Sequence, residues 1–312
     1  MPSSPRRADG GLISAPVPLR SPVFVVPPVR LFTLTLLTML AFAGNSLLCR
    51  AALRDTGIDA ASFTTLRLVS GALVLWLLTL RGRGGRPRGG SWASAAALFV
   101  YAAAFSFAYI SLPASTGALL LFGAVQATMI GYGLWKGERF RLLQWFGFLV
   151  ALGGLVVLVL PGLAAPPLWG AGLMLGAGVA WGVYSLRGRG TGDPIRVTAG
   201  NFLRAAPAAV VLSLVTMNRT SLDPAGVGYA LASGAVTSGL GYAIWYTALP
   251  ALRATTAATV QLSVPVIAAL GGVILLGEPV TLRLVVASVA ILGGIGLVIR
   301  ERRRPARGDP GA

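Results

Sequence analysis

Apolar residues run along the chain in long continuous blocks, which short polar connections separate. Blocks of about 20 apolar residues match the hydrocarbon core of a bilayer, where a helix satisfies its own backbone hydrogen bonds. A transmembrane barrel would instead show alternating segments of about ten residues. The pattern therefore predicts an all-α integral membrane protein with ten transmembrane helices. The predicted spans are Leu31–Cys49, Phe63–Leu80, Trp92–Leu112, Ala114–Trp135, Leu142–Leu160, Leu168–Leu186, Val197–Met217, Ala225–Leu249, Thr255–Leu276 and Leu284–Ile299.

The positive charges predict the orientation of these spans. If the N-terminus is cytoplasmic, 20 of the 26 Lys and Arg residues fall in cytoplasmic segments and 4 in external ones. Cytoplasmic loops carry such an excess of Lys and Arg. We therefore expect a multi-pass protein of the inner (plasma) membrane with both termini in the cytoplasm. Residues 1–30 are predicted to be a disordered basic tail, and residues 301–312 a second basic tail.

The composition limits the other classes of function. Charged residues make up only 11% of the chain, and the net charge of +17 lies in connections and chain ends, not on one face. We therefore predict a lipid bilayer and a small-molecule substrate as partners, and no nucleic acid. A homodimer is compatible with the sequence, but no feature supports it.

The residues that commonly carry catalysis are scarce. The chain has no histidine and one cysteine, Cys49, so the commonest general base and a favoured metal ligand are missing. We expect no metal, no cofactor, no catalytic residue and no enzymatic activity. An intramembrane enzyme that uses Ser or Arg stays open as an alternative, as does a non-transporting membrane assembly factor.

The second half of the chain repeats the first at an offset of 137 to 140 residues. The segment "LAFAGNSLLCR" is similar to "VAWGVYSLRGR", "YISLP" to "YTALP" and "LWKGE" to "ILLGE". The two arginines inside predicted spans, Arg67 and Arg204, are matched as well. Each repeat, 31–160 and 168–300, holds five spans, and an odd number places the two halves in opposite orientations. Inverted repeats of this kind are a recurrent transporter architecture, with the binding site between the halves.

These features together resemble one family. Ten spans in two halves, an Arg early in the second span of each half, and "GE" after the fourth span are similar to the EamA family of the drug/metabolite transporter superfamily. The resemblance implies export or exchange of metabolites, such as amino acids, by alternating access between the repeats. Small multidrug exporters of that superfamily use an intramembrane Glu, and the predicted spans of this chain contain no acidic residue. We therefore favour neutral or zwitterionic substrates.

Several charged residues and one proline are assigned structural or gating roles. Burying Arg67 or Arg204 in lipid is costly, so each should face protein or water. Either could anchor a carboxylate or phosphate, although tying together helix ends is the favoured interpretation. Glu138 and Glu278 lie at the membrane boundary, where a carboxylate favours a helix N-terminus. Pro265 should break the ninth helix, because it lacks a backbone N–H.

Aromatic and amide side chains form the candidate substrate site. Tyr101 and Phe105 share one face of the third span. Aromatic pairs also occur in the sixth and eighth spans, and such side chains combine flat apolar surface with polar atoms. Packing or the aromatic belt at the membrane interface is the alternative. The predicted substrate-binding residues are Trp181, Tyr184, Tyr101, Phe105, Tyr242, Trp245, Asn45, Gln126 and Gln261.

Overall fold

The structure is a computed structural model that describes residues 27–81, 89–137, 139–160, 165–188, 193–252 and 260–301. Within these ranges the regular elements are all helical. Most of both predicted tails, and Glu138, lie outside the described residues. The helices are α1 (Pro28–Asp55), α2 (Ala60–Arg81), α3 (Trp92–Tyr109), α4 (Ala114–Trp135), α5 (Leu142–Val159), α6 (Leu168–Arg187), α7 (Pro194–Val215), α8 (Pro224–Ala232), α9 (Gly241–Ala248), α10 (Ser263–Leu276) and α11 (Leu282–Glu301).

A membrane-spanning helical architecture is confirmed. Among the described residues, seven helices are long and apolar enough to cross a membrane, namely α1 to α5, α7 and α11. Helix α6 has 20 residues but is not among these seven. The eighth predicted span consists of α8 and α9 joined by a π-helical segment, Ser233–Leu240. The count of ten transmembrane helices therefore stays a prediction.

Local sequence explains where many of these helices begin. Proline occupies the first turn of α1, α7 and α8, where its missing N–H costs no hydrogen bond. Ser91 and Asp193 accept hydrogen bonds from the first backbone N–H groups of α3 and α7. Pro265 lies in the first turn of α10, and the helix is interrupted at Leu262, just before it. A helix boundary therefore lies three residues before Pro265, and the structural or gating role assigned to this proline stays a prediction.

Helices from the two halves of the chain interleave. Contacts join α3 to α6, α4 to α6 and α1 to both α9 and α10. Other contacts join α2 to α7, α4 to α10 and α5 to α11. The sequence repeat pairs α1 with α6, α3 with the α8–α9 segment, and α4 with α10. Exchanging each helix for its partner turns the α3–α6 contact into the α1–α9 contact, and the α4–α6 contact into the α1–α10 contact. The core therefore lies along the interface between the halves, where Phe105, Tyr109 and Phe202 are fully buried.

Asp59 ties the α1–α2 turn to the connection before α8. Its carboxylate accepts hydrogen bonds from the backbone N–H groups of Ser62 at 2.9 Å and Ser221 at 3.0 Å. Its own N–H donates to the Ser221 carbonyl at 3.0 Å. Burial raises the pKa of Asp59, but hydrogen bonds from Ser62, Ser221 and Ala61 outweigh it and hold the pKa below its ordinary value.

Replacing Asp59 with alanine is expected to lower the stability by about 1–2 kcal/mol, since a helix cap and a link between halves are both lost. Asp223→Ala is the control, because Asp223 caps α8 through Gly226 alone, and it should cost less. A carboxyl with a lowered pKa stabilises the folded state at neutral pH, and this contribution disappears on protonation. The Tm of Asp59→Ala should therefore lie below that of the unsubstituted protein at pH 7, and this difference should be smaller below about pH 4. Equal losses in both variants would contradict the link between halves.

Candidate functional site

A small cavity lies between the halves, at the centre of the bundle. It has a volume of about 20 Å³, which is enough for one water molecule. Its walls come from α1, α3, α4, α6, the π-helical segment and α9, so both halves contribute. The lining residues are Phe42, Asn45, Ser46, Tyr101, Phe105, Leu121, Phe122, Trp181, Thr237, Ser238 and Tyr242.

Trp181 is at the centre of an aromatic cluster. Its ring centroid lies 4.8 Å from that of Tyr101, 5.2 Å from Tyr242 and 5.3 Å from Tyr184. The Tyr101 ring also lies 5.4 Å from that of Phe105, one helical turn further along α3. These separations are those of favourable ring pairs. The cluster gives the cavity flat apolar walls with hydroxyl groups at their edges.

Asn45 provides the polar centre of the cavity. Its side-chain oxygen accepts hydrogen bonds from the hydroxyls of Ser233 at 2.7 Å and Thr237 at 3.2 Å. Its amide nitrogen donates to the Tyr101 hydroxyl at 3.3 Å. Ser233 and Thr237 both belong to the π-helical segment, and π-helical turns are frequent at functional sites. Asn45 thereby fixes α1 against both α3 and the π-helical segment.

Arg67 lies behind the wall of this cavity and contacts residues that line it. Only 2% of its surface is exposed, and its Nη2 donates to the Tyr101 hydroxyl at 2.9 Å. Its Nε donates to the Ser238 hydroxyl at 3.2 Å. The guanidinium carbon is 4.9 Å from the centroid of the Phe105 ring and 5.1 Å from that of Tyr101. Arg67 therefore contacts three residues of the cavity wall.

Glu278 belongs to the second half of the chain and contacts residues of the first half, at the end of the bundle where α4 begins. Gly277, at a φ of 63°, ends α10 in the left-handed conformation that favours glycine. The carboxylate of Glu278 then accepts a hydrogen bond from the Ala114 N–H at 2.8 Å, and it lies 3.5 Å from the Arg50 Nε. Arg50 in turn donates to the Tyr109 carbonyl at 2.9 Å. We call Arg50, Ala114 and Glu278 the Glu278 cluster. The Glu278 carboxylate therefore contacts the N-terminus of helix α4.

Polar contacts also join the halves at the opposite end, where α3 begins. Arg204 donates to the carbonyls of Gly89 at 2.8 Å and Gly200 at 2.9 Å. The Asn201 side chain accepts from the Ser91 N–H at 2.9 Å. These are the backbone contacts that a structural role of Arg204 requires. That role stays a prediction.

The structure separates the predicted substrate residues into two groups. Five of them line the cavity: Asn45, Tyr101, Phe105, Trp181 and Tyr242. The other four lie outside the lining: Tyr184 and Trp245 behind it in the aromatic cluster, Gln126 buried on α4, and Gln261 partly buried before α10. Substrate binding stays a prediction for both groups. Aromatic or amide residue type does not distinguish the two groups, because it does not determine which way a side chain faces.

The aromatic and amide pattern misses Thr237 and Ser238, which line the cavity. Both belong to the π-helical segment, whose sequence "SGAVTSGL" is small and polar for the middle of a span. A run of small hydroxyl residues in an apolar block was the available signal. The same pattern also misses Leu121 and Phe122, for which an ordinary apolar span offers no signal.

Comparisons with known proteins agree with this architecture. Residues 168–300 match the EamA-like transporter family. An uncharacterized protein of Pseudomonas aeruginosa is 62% identical over 278 residues, which cover 89% of this chain and 97% of that protein. The threonine/homoserine exporter RhtA of Salmonella typhimurium is 34% identical over 145 residues, 44% of this chain and 48% of that exporter.

A solved crystal structure has the same fold. It superposes with a TM-score of 0.64 at 20% identity, and covers 89% of this chain and 100% of the other. The repeat-like exchange of helix contacts, the long apolar helices and the family match thus agree with one another. The chain belongs to the EamA-like transporter family, and it is a multi-pass membrane protein.

Proposed function

We propose that this chain exports or exchanges small neutral or zwitterionic metabolites, such as amino acids, across the inner membrane. The observation that carries the proposal is the cavity between the halves, whose walls are aromatic rings around the Asn45 amide. Such walls suit a small amphiphilic solute. The name of the partly similar RhtA exporter, which includes threonine and homoserine, supports the amino-acid class.

Alternating access between two inverted five-helix repeats is the proposed mechanism, in the orientation with both termini in the cytoplasm. A cavity of about 20 Å³ is too small for an amino acid, so the walls must separate before substrate enters. Polar contacts between the halves lie at both ends of the bundle, in the Glu278 cluster and around Arg204. Release of one set at a time would open the cavity to one side only.

Family membership favours transport over the enzymatic alternative and over an assembly role. Saturable counterflow in proteoliposomes separates these functions, because neither an enzyme nor an assembly factor moves labelled solute against an unlabelled pool. We would load vesicles with unlabelled L-threonine and measure the uptake of labelled L-threonine. Saturable uptake that requires the internal pool supports the proposal. Its absence for every neutral amino acid, in protein that elutes as a folded species, would contradict the proposed substrate class.

Replacing Trp181 with alanine should raise the KM for counterflow about tenfold or more, because a large ring that lines the cavity is lost. Trp169→Ala is the matched control. Trp169 is on the same helix, but 78% of its surface is exposed, so its loss should leave the KM unchanged. Both variants are compared in counterflow after their thermal stability has been measured. A normal KM in folded Trp181→Ala would show that the cavity is not the binding site.

A further inference from the structure

The guanidinium of Arg67 has one nitrogen, Nη1, whose N–H groups no group of the described residues accepts. Its Nη2 and Nε are bonded to the hydroxyls of Tyr101 and Ser238. Its Nη1 is buried and makes no hydrogen bond. Both bonded partners line the cavity, and so does Phe105, whose ring lies under the guanidinium. Arg67 is not itself a lining residue, but its guanidinium lies behind the cavity wall with one nitrogen unused.

The charge of Arg67 is also unpaired. Among the described residues, its hydrogen-bond partners are neutral hydroxyls, and the ion pairs of the structure involve other arginines at helix ends. A buried charge without a counter-charge is costly, and an anion close to it would be strongly stabilised. The cavity is the adjacent space that could receive such an anion.

We propose that Arg67 anchors the carboxylate of the transported metabolite, an inference that rests on the proposed transport function. The Nη1 group would donate to one carboxylate oxygen. The Tyr101 oxygen accepts hydrogen bonds from Arg67 and Asn45, so its own proton is left for the second oxygen. The faces of Trp181 and Tyr242 would then attract the ammonium group of an amino acid. The substrate class is thereby narrowed from neutral and zwitterionic metabolites to zwitterions that carry a carboxylate, and a simple monocarboxylate serves as a probe of the same anchor.

Arg204 provides an internal control, because the repeat pairs it with Arg67. Its Nη1 donates to the carbonyls of Gly89 and Gly200, and neither of these residues lines the cavity, whereas both hydrogen-bond partners of Arg67 do. A substitution there removes a positive charge of the same type at the matched position of the other half. It should lower thermal stability without altering the preference for carboxylates.

The first test measures binding without transport. The thermal stability of the purified protein is followed in sodium propionate, in propionamide and in sodium chloride at equal concentrations. Propionate is expected to raise the Tm of the unsubstituted protein more than propionamide or chloride does. Arg67→Gln should abolish this difference, Arg67→Lys should keep part of it, and Arg204→Gln should keep all of it. The unsubstituted protein alone already gives a result, so the test remains informative if a variant fails to fold.

The second test uses L-threonine counterflow with L-threonine and L-threonine amide as competitors. The carboxylate should compete about 10- to 100-fold better than the amide, the range expected for a hydrogen bond to a charged group. Arg67→Gln should remove this preference, whereas Arg204→Gln should retain it. An intact preference in folded Arg67→Gln would overturn the anchor. Equal stabilisation by chloride and propionate would also overturn it, in favour of a bound inorganic anion.

The two proposals can fail separately. Absence of counterflow with a propionate effect that depends on Arg67 would contradict amino-acid transport and support the anchor. Counterflow with no preference for carboxylate over amide would support transport and contradict the anchor.

Discussion

Replacing Glu278 with glutamine is expected to open one end of the bundle and to expose Cys49 to water-soluble thiol reagents. The buried Glu278 carboxylate joins the second half to Arg50 and to the first N–H of α4. Glutamine keeps one acceptor oxygen but loses the ion pair and the attraction to the helix N-terminus. Breaking a buried ion pair by removing one partner is strongly destabilising. The contact between the halves should therefore release.

Cys49 is a native reporter of this release. It is the chain's single cysteine, it is fully buried, and it lies one helical turn beyond the cavity residue Asn45, next to Arg50. A charged maleimide should label Glu278→Gln about tenfold faster than the unsubstituted protein, which corresponds to a shift of about 1.4 kcal/mol. Cys49→Ser measures the background. The rate is determined in proteoliposomes, alongside counterflow.

Asp55→Asn is the matched control for Glu278→Gln. Asp55 is an acid close to the same end of α1, and it pairs with Arg54 at an exposed position. Exposed pairs contribute little, so labelling of Cys49 should not change. Unaltered labelling and unaltered counterflow in Glu278→Gln would contradict the view that this cluster holds the halves together.

Replacing Gly294 with alanine should strongly destabilise the protein, because the α5–α11 contact has no room for a methyl group. A Cβ atom at Gly294 would lie 2.7 Å from the Ala151 backbone nitrogen, and would also meet the Gly147 carbonyl. A Cβ atom at Gly147 would lie 2.6 Å from the Gly294 carbonyl. Backbone atoms cannot move aside as a flexible side chain can. Overpacking of this kind costs about 1–3 kcal/mol.

The neighbouring glycine is the control for this substitution. A Cβ atom at Gly293 meets nothing within 4 Å, so Gly293→Ala should be neutral or slightly stabilising in the helix. Thermal unfolding in detergent compares the two variants. Because α5 and α11 contribute no residue to the cavity lining, folded Gly294→Ala should keep its KM. Equal Tm values for the two variants would show that the helices can separate at little cost.

The helix positions and the shared face of Tyr101 and Phe105 could be predicted from local pattern. Long apolar blocks define helices regardless of their partners, and Tyr101 and Phe105 share a face because four residues are about one turn. Gln126 and Gln261 illustrate the limit of this reasoning. An amide in a span should avoid lipid, but several protein-facing directions satisfy that requirement. Only the packing of neighbouring helices decides in which of these directions the amide side chain points.

The sequence by itself determined the apolar helices, the repeat with its matched pairs of residues, and the family resemblance, because each depends on residue type and spacing along the chain. The tertiary structure alone decided that Arg67 binds side chains of the cavity wall whereas its repeat partner Arg204 binds backbone carbonyls. It also decided that Glu278 meets α4, and that the π-helical segment presents Thr237 and Ser238 to the cavity. These outcomes depend on contacts between residues far apart in the chain, and the spacing of residues along the chain does not determine such contacts.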